Sequence, residues 1–432
     1  MRLVFFGNCQ LHMLQRIYSH FVVPHVGGAA VHVQANVALR PEHARAIATA
    51  DVLVTQITQM APGTDISHIE TKARRMRVPV AGAMFLWPFA GTRHPDHLKR
   101  YPGYGPFTAE MCDGWIVNRL RSGGSATEIV AEYLALDVAR AGHLERRLEM
   151  SLETQAMLEA GTGYAFAPLI EAHYRSEQLF KTPYHPQARL ARTMAEIFLA
   201  ELGAPAAAQD NVRQYLTHNF MVPTEVPIHP GVAAHFGLQW ADAATKYRFY
   251  SEDMLTFEQW ALRVARCEAY PAVNDAVNAV MGGAADGAAK LAAARGLLPA
   301  SPLVWHAEAV LHTRAGRFDE ALVLLRRVAA VAPAMMRLDA DLFECLYGLG
   351  RWDEAEAALR AELMARPYQF ALQAKLAAFL AELGRWEDAV GAAEIALALA
   401  PDRGAVRKLA ESIRQGRLGE TKPSPPDPPA LF

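Results

Sequence analysis

A 34-residue step constrains this chain more than any other feature. "GRFDEA" begins at Gly316, "GRWDEA" at Gly350 and "GRWEDA" at Gly384, and prolines keep the same interval at Pro299, Pro333, Pro367 and Pro401. Each glycine falls where two helices must turn, and a residue without Cβ accepts that turn easily. Ala321, Ala355 and Ala389 are small, so paired helices can approach closely. Each proline ends a second helix, because it has no N–H to donate and keeps its predecessor extended. One period upstream lies Gly282, so "GGAADGAAKLAAARGLLP" fits as a degenerate first unit. Stacked helical hairpins are the only economical reading.

This is the tetratricopeptide period. The spacing predicts an all-α, tetratricopeptide-like solenoid over residues 270–416, closed by a polar capping helix in "DRGAVRKLAESIRQGR". Residues 417–432 are Pro-rich and expected to be disordered. Repeats of this kind serve as scaffolds for a protein partner or for self-association. Any chemistry therefore belongs to residues 1–269.

Bulk properties exclude some functions. With 52% hydrophobic and 20% charged residues the chain is an ordinary globular protein, and a net charge of -2 gives no basic field for nucleic acid. The longest apolar run, "VPVAGAMFLWPFAG", is too short for a membrane span and contains two prolines. Asn8, Gln10 and His12 interrupt the N-terminus before a signal sequence could form. Cys9, Cys112, Cys267 and Cys345 show neither a C-x-x-C pair nor zinc-ribbon spacing, so reduced thiols in the cytoplasm are expected.

The first hundred residues read as α/β. "RLVFFGN" is a continuous apolar strand, and helix 10–21 follows with Leu11, Leu14, Ile17, Tyr18 and Phe21 on one stripe. "VHVQANVAL" alternates as a strand, Pro41 opens a helix, "DVLVTQ" is a further strand and "VPVAGAM" a fourth. Strand–helix alternation at this spacing predicts a small parallel sheet. From about Thr108 to Gly203 the periodicity becomes helical, which suggests a helical cap.

The turn "GNCQ" stands between the first strand and its helix. Ligands collect at the carboxyl ends of parallel strands, and a helix N-terminus favours a thiolate. Gly7 would permit the sharp turn, Cys9 would be the nucleophile, and N–H groups around Asn8 and Gln10 would stabilise an oxyanion. A small buried packing cysteine fits the same letters, and spacing alone leaves both readings open. A thiol nucleophile needs a base. His185 in "TPYHPQ" and His229 in "PIHPGV" each precede proline, which holds the histidine extended on a rigid loop. Glu225 and Asp96 are candidates for a third group, neither favoured by its spacing.

"GNCQ", "ADVLVTQ", "SEQLFKTPYHPQ" and "PIHPGVAAHFGL" together resemble the WcbI-type polysaccharide biosynthesis acetyltransferase family over roughly residues 1–240. The resemblance implies a coenzyme A-dependent enzyme, with acetyl-CoA as substrate, that acetylates a sugar hydroxyl of a capsular or other surface polysaccharide. It places a cysteine-based site at Cys9 with His185 as the first histidine to transfer; Gly7 and Lys181 are expected beside the cofactor. Lys181 and Tyr184 depart from the family's form and leave the pocket detail open.

Two other classes share these residues. A thiol esterase would pass the acyl group to water with the same nucleophile and base. A non-catalytic scaffold would bind a glycan or a nucleotide sugar and recruit synthases through the repeats. A Walker A loop is absent, and "GTGYAF" lacks dinucleotide spacing. "HPDH" at 94–97 reads as a solvated loop rather than a metal site. Lys72, Arg74, Arg75 and Arg77 read as an exposed helix face or as partners for coenzyme A phosphates.

Overall fold

The computed structural model describes residues 1–416 except 36, 59–63, 102–105, 110, 219, 222 and 223. The Pro-rich tail lies outside the described residues. Two compact units are formed, and neither is continuous in sequence. The first comprises Met1–Val80, Ala188–Met221 and the chain from Met336 onward; the second comprises Ala81–Gln187 and Val222–Met335.

The first unit is built on a four-stranded, all-parallel sheet: β1 (Arg2–Gly7), β2 (Ala29–Gln34), β3 (Val52–Ile57) and β4 (Arg74–Pro79), in the order β2-β1-β3-β4. β1 is central, and Leu3, Val4 and Phe5 have no exposed surface. Helix Cys9–Phe21 buries the whole predicted stripe, Leu11, Leu14, Ile17, Tyr18 and Phe21. Helix Pro41–Ala48 starts at its proline, as the letters require. Phe198 of helix Ala188–Leu202 packs on Phe5 with ring centres 5.6 Å apart.

The fourth strand corrects the sequence reading in two ways. It begins at Arg74 instead of Val78, so Arg74, Arg75 and Arg77 of the basic run lie on a strand and not on a helix face. Its signal was period two: Met76 and Val78 are buried while Arg75 and Arg77 are exposed. β4 is an edge strand, and exposed arginines there deter pairing with another chain. β2 also ends at Gln34, short of "NVAL".

The second unit is mainly helical, with Gly114–Arg121, Ala126–Leu134, Leu144–Glu159 and Phe166–His173 as the helical region expected after residue 108. Phe85, Tyr174 and Phe236 meet edge to face in its core, at 5.2–5.7 Å. Two short antiparallel hairpins, β5 (Phe180–Thr182) with β6 (His185–Pro186) and β7 (Tyr247–Phe249) with β8 (Asp253–Leu255), were not read from the sequence. Strands of two or three residues carry too few letters for a period.

The repeats form the predicted tightly packed helical hairpins. Pro271–Met281 with Gly287–Leu297 and Pro302–Arg314 with Phe318–Val331 belong to the second unit. Leu338–Gly348 with Trp352–Ala365, Phe370–Glu382 with Trp386–Leu399, and the cap Gly404–Arg414 belong to the first. Gly316, Gly350 and Gly384 take φ of 71°, 69° and 74°, and the alanines five residues on are wholly buried. In the degenerate unit the left-handed residue is Gly283, at φ 76°, one place after Gly282. In the first unit the last hairpins pack against the α/β layer. Tyr368 stands against His20 and Phe220, Thr217 Oγ1 donates to Ala365 O at 2.8 Å, and Asn211 Nδ2 donates to Ala398 O at 3.0 Å.

Candidate active site

The strand order creates the site. β1 lies between β2 and β3, so the strand order reverses beside it, and the carboxyl ends of β1 and β3 flank that switch point, the place where ligands of open parallel sheets collect. The ends of these two strands bring Gly7, Asn8 and Cys9 beside Gln56. Gln56 Oε1 accepts the Asn8 N–H at 3.0 Å, while its Nε2 is buried without an acceptor among the described residues. Gly7 fits here by space, since its φ is not left-handed and a side chain would have to displace Leu11 and Gln56. A Cβ on it would stand 2.6 Å from Leu11 Cδ1 and 3.0 Å from Gln56 Oε1.

Asn8 caps helix Cys9–Phe21, its Oδ1 accepting the Gln10 N–H at 2.9 Å. This narrows the expected oxyanion donors: the Asn8 and Gln10 backbone amides are already engaged. The Cys9 N–H and Asn8 Nδ2 remain without an acceptor among the described residues. The cap fixes the amide orientation, because Oδ1 must face Gln10 and Nδ2 must then point away. Gln10 itself is fully buried. Cys9 is half-buried, whereas Cys112, Cys267 and Cys345 are buried. Burial pushes the Cys112 thiol up to about 12.

Two imidazoles that sequence reasoning did not single out belong to this corner. His12 stands three residues beyond Cys9 on the same helix face. It stacks on His32 of β2, with ring centres 4.8 Å apart and planes 10° from parallel. His32 Nε2 donates to Gly7 O at 3.2 Å, which leaves Nδ1 as the basic atom. Burial, then the neighbouring His12, pushes His32 down to about 4, so it is neutral near pH 7. The i, i+3 spacing of Cys9 and His12 was available in the sequence; the partnership with His32 required the β1–β2 register.

The remaining candidates lie in the second unit. His185 on β6 is half-buried, its Nδ1 2.6 Å from Thr182 Oγ1 in a hydrogen bond. Lys181 is buried, and desolvation holds its ammonium below the usual range against the opposing pull of Glu225. Glu225 accepts from Gln178 Nε2 at 3.3 Å and from the Arg248 N–H at 3.0 Å. Asp96 pairs with Lys99 at 3.1 Å. His229 is buried and has both ring nitrogens engaged: Nε2 donates to Tyr133 O at 3.1 Å, and Nδ1 accepts the Gly231 N–H at 2.9 Å. It caps helix Pro230–Phe236, so the structure gives it a framework role. Among the described residues no three His, Cys, Asp or Glu side chains gather as for a metal ion.

Comparison with known proteins identifies the frame around Cys9. Residues 2–207 match the family model described as polysaccharide biosynthesis enzyme WcbI. The N-terminal part of the chain is a WcbI-family domain. Residues 312–367 match the tetratricopeptide repeat model. Among solved structures, WcbI covers 71% of this chain and 97% of its own, at 13% identity and a TM-score of 0.43. That structure is described as the native protein without a disulfide bond between coenzyme A and one of its cysteines. MamA MSR-1 covers 33% of this chain and 83% of its own, at 21% identity and a TM-score of 0.30. The Yersinia enterocolitica type III secretion chaperone SycD, bound to a YopD peptide, covers 26% and 90%, at 15% identity and a TM-score of 0.24. No curated protein matches the chain. Among the described residues no helix is long and apolar enough to cross a membrane.

Proposed function

We propose that this chain is a coenzyme A-dependent O-acyltransferase, acting on a sugar hydroxyl in surface-polysaccharide synthesis, with Cys9 as the acyl carrier. The observation that supports it most is the position of Cys9. It is the one half-buried thiol, it lies at the carboxyl end of β1 beside the switch point, and it opens a helix. The WcbI-family domain supplies the biosynthetic context. Of WcbI itself, a coenzyme A–cysteine disulfide is named; coenzyme A is proposed here as the donor because its thioester exchanges readily with a cysteine thiolate.

In this mechanism the Cys9 thiolate attacks the thioester carbonyl, and the C–S bond to coenzyme A breaks as a new one forms to Cys9. The departing thiolate takes up the proton that a histidine removed from Cys9. An acceptor hydroxyl then attacks the acyl-cysteine, giving its proton to the same base and restoring the thiol. The Cys9 N–H and Asn8 Nδ2 carry the negative charge on the tetrahedral oxygen. His185 is proposed as the base, with His12 as its rival from the first unit. The repeats are proposed to bind a protein partner, and the working compartment to be the cytoplasm.

The test is intact mass spectrometry of the purified chain after incubation with acetyl-CoA, beside Cys9→Ala. An acetyl adduct absent from the variant upholds the proposal. No adduct in the wild type, with no coenzyme A binding by calorimetry, overturns it. His185→Gln and His12→Gln then decide the base: the variant that slows adduct formation and flattens its pH profile names it.

A further inference from the structure

A cleft of about 810 Å³ lies wholly within the second unit, and neither the proposed chemistry nor the repeats use it. That size matches the usual range of small-molecule sites, about 300–1,000 Å³. Three arginines line it, Arg100, Arg121 and Arg266, together with the rings of Tyr101 and Tyr270.

The charges do not cancel locally. Of the two carboxylates on the walls, Asp96 is paired with Lys99 at 3.1 Å, and Glu268 accepts the Tyr270 hydroxyl and lies 3.9 Å from Arg266. Arg100 and Arg121 have no carboxylate within ion-pair distance among the described residues. Among the described residues their only polar contacts are long and to neutral oxygens: Arg100 Nη1 to Cys267 O at 3.4 Å and Arg121 Nη1 to Asn118 Oδ1 at 3.3 Å. Each guanidinium has five N–H donors, so most of both forks point elsewhere. The helix that opens on the cleft, Ala126–Leu134, adds nothing to this, because its Ser125–Glu128 capping box already occupies its first amides. Two uncompensated, forked cations on the wall of one nucleotide-sized cleft suit a phosphate-bearing ligand, since phosphate accepts two parallel N–H bonds from each fork.

We propose that this cleft binds the diphosphate of a nucleotide, with Arg100 and Arg121 as its phosphate ligands. Two sources share that chemistry: a sugar nucleotide, and the nucleotide half of coenzyme A. Nucleotide binding in the cleft is read without the thiol, in Cys9→Ala as in the wild type, so its failure and that of the acyltransferase reading are separable.

Calorimetric titration of the full chain with uridine diphosphate and with 3′-phosphoadenosine 5′-diphosphate tests it, at low and at physiological salt. The wild type should bind at least one probe, more weakly as salt rises. The Arg100→Ala, Arg121→Ala double variant should lose at least about tenfold in affinity; its acetyl adduct at Cys9 stays at the wild-type rate where the ligand is a sugar nucleotide and slows where it is coenzyme A. Both arginines are exposed, so folding should survive. Arg121→Lys, which keeps the charge and loses the fork, should give a smaller loss. Tighter uridine diphosphate binding assigns a sugar nucleotide, and tighter binding of the adenine nucleotide assigns coenzyme A. No binding of either probe by the wild type, salt-independent binding, or unchanged affinity in the double variant overturns the proposal.

Discussion

Two helix starts in this chain carry candidate chemistry, and they use it in opposite ways. At the first, Asn8 caps helix Cys9–Phe21 with its side-chain oxygen, and the residue after the cap is a half-buried thiol. At the second, His229 caps helix Pro230–Phe236 with its own ring, and the imidazole has no nitrogen left. A helix N-terminus needs acceptors for its first amides. Where a neighbouring residue meets that need, the reactive group stays available; where the reactive group meets it, a framework residue results.

Replacing each residue separates the two roles. Cys9→Ala should abolish adduct formation, a loss of about 10³-fold or more, with little change in thermal midpoint because the thiol is half-buried. An adduct that survives in the variant would move the chemistry elsewhere. His229→Ala should instead cost about 2–4 kcal/mol of stability, from a lost cap, a cavity, and the Gly231 N–H and Tyr133 carbonyl left unpaired. Denaturant unfolding measures it. A variant as stable as the wild type but devoid of adduct would make His229 a chemical residue after all.

The contrast explains what was legible in the sequence. Backbone roles were: the left-handed turns at Gly316, Gly350 and Gly384 depend on φ alone, and the 34-residue period announces them. The helix stripe behind Cys9 was equally plain. Gly7 was harder, because its requirement is steric and comes from Leu11 and Gln56, the latter brought by another strand. The oxyanion donors could be narrowed only by the structure, for a related reason: whether an amide is free depends on its acceptors, and Gln56 is 48 residues from Asn8. His32 reaches the turn only through β1–β2 pairing. The partition of the repeats between two compact units likewise follows packing that no local pattern records.

Asn8 sharpens the comparison, since its two side-chain atoms have different tasks. Asn8→Ala removes both and should cost about 1 kcal/mol of stability and about 10–100-fold in acyl transfer. Asn8→Asp keeps the accepting oxygen and deletes the Nδ2 donor. Its stability should stay near the wild type while its adduct rate falls. If the Asp variant instead loses stability and keeps its rate, Nδ2 contributes nothing to the oxyanion and the cap is the whole role of Asn8.

The smallest effect is a pH dependence of stability that belongs to the first helix start. His32 is pushed down to about 4 by burial and by His12, against an ordinary value of 6.5. Between those values the unfolded chain binds a proton that the folded one refuses, so stability should fall as pH drops from about 6.5 toward 4. For a ring that is not fully buried the loss is on the order of 1 kcal/mol. His32→Gln retains an Nε2 donor for the Gly7 carbonyl but cannot titrate. Urea midpoints taken across this window should therefore decline less steeply in the variant. Parallel declines would mean that His32 protonates in place, and that the stacked pair with His12 tolerates a charge beside the Cys9 turn.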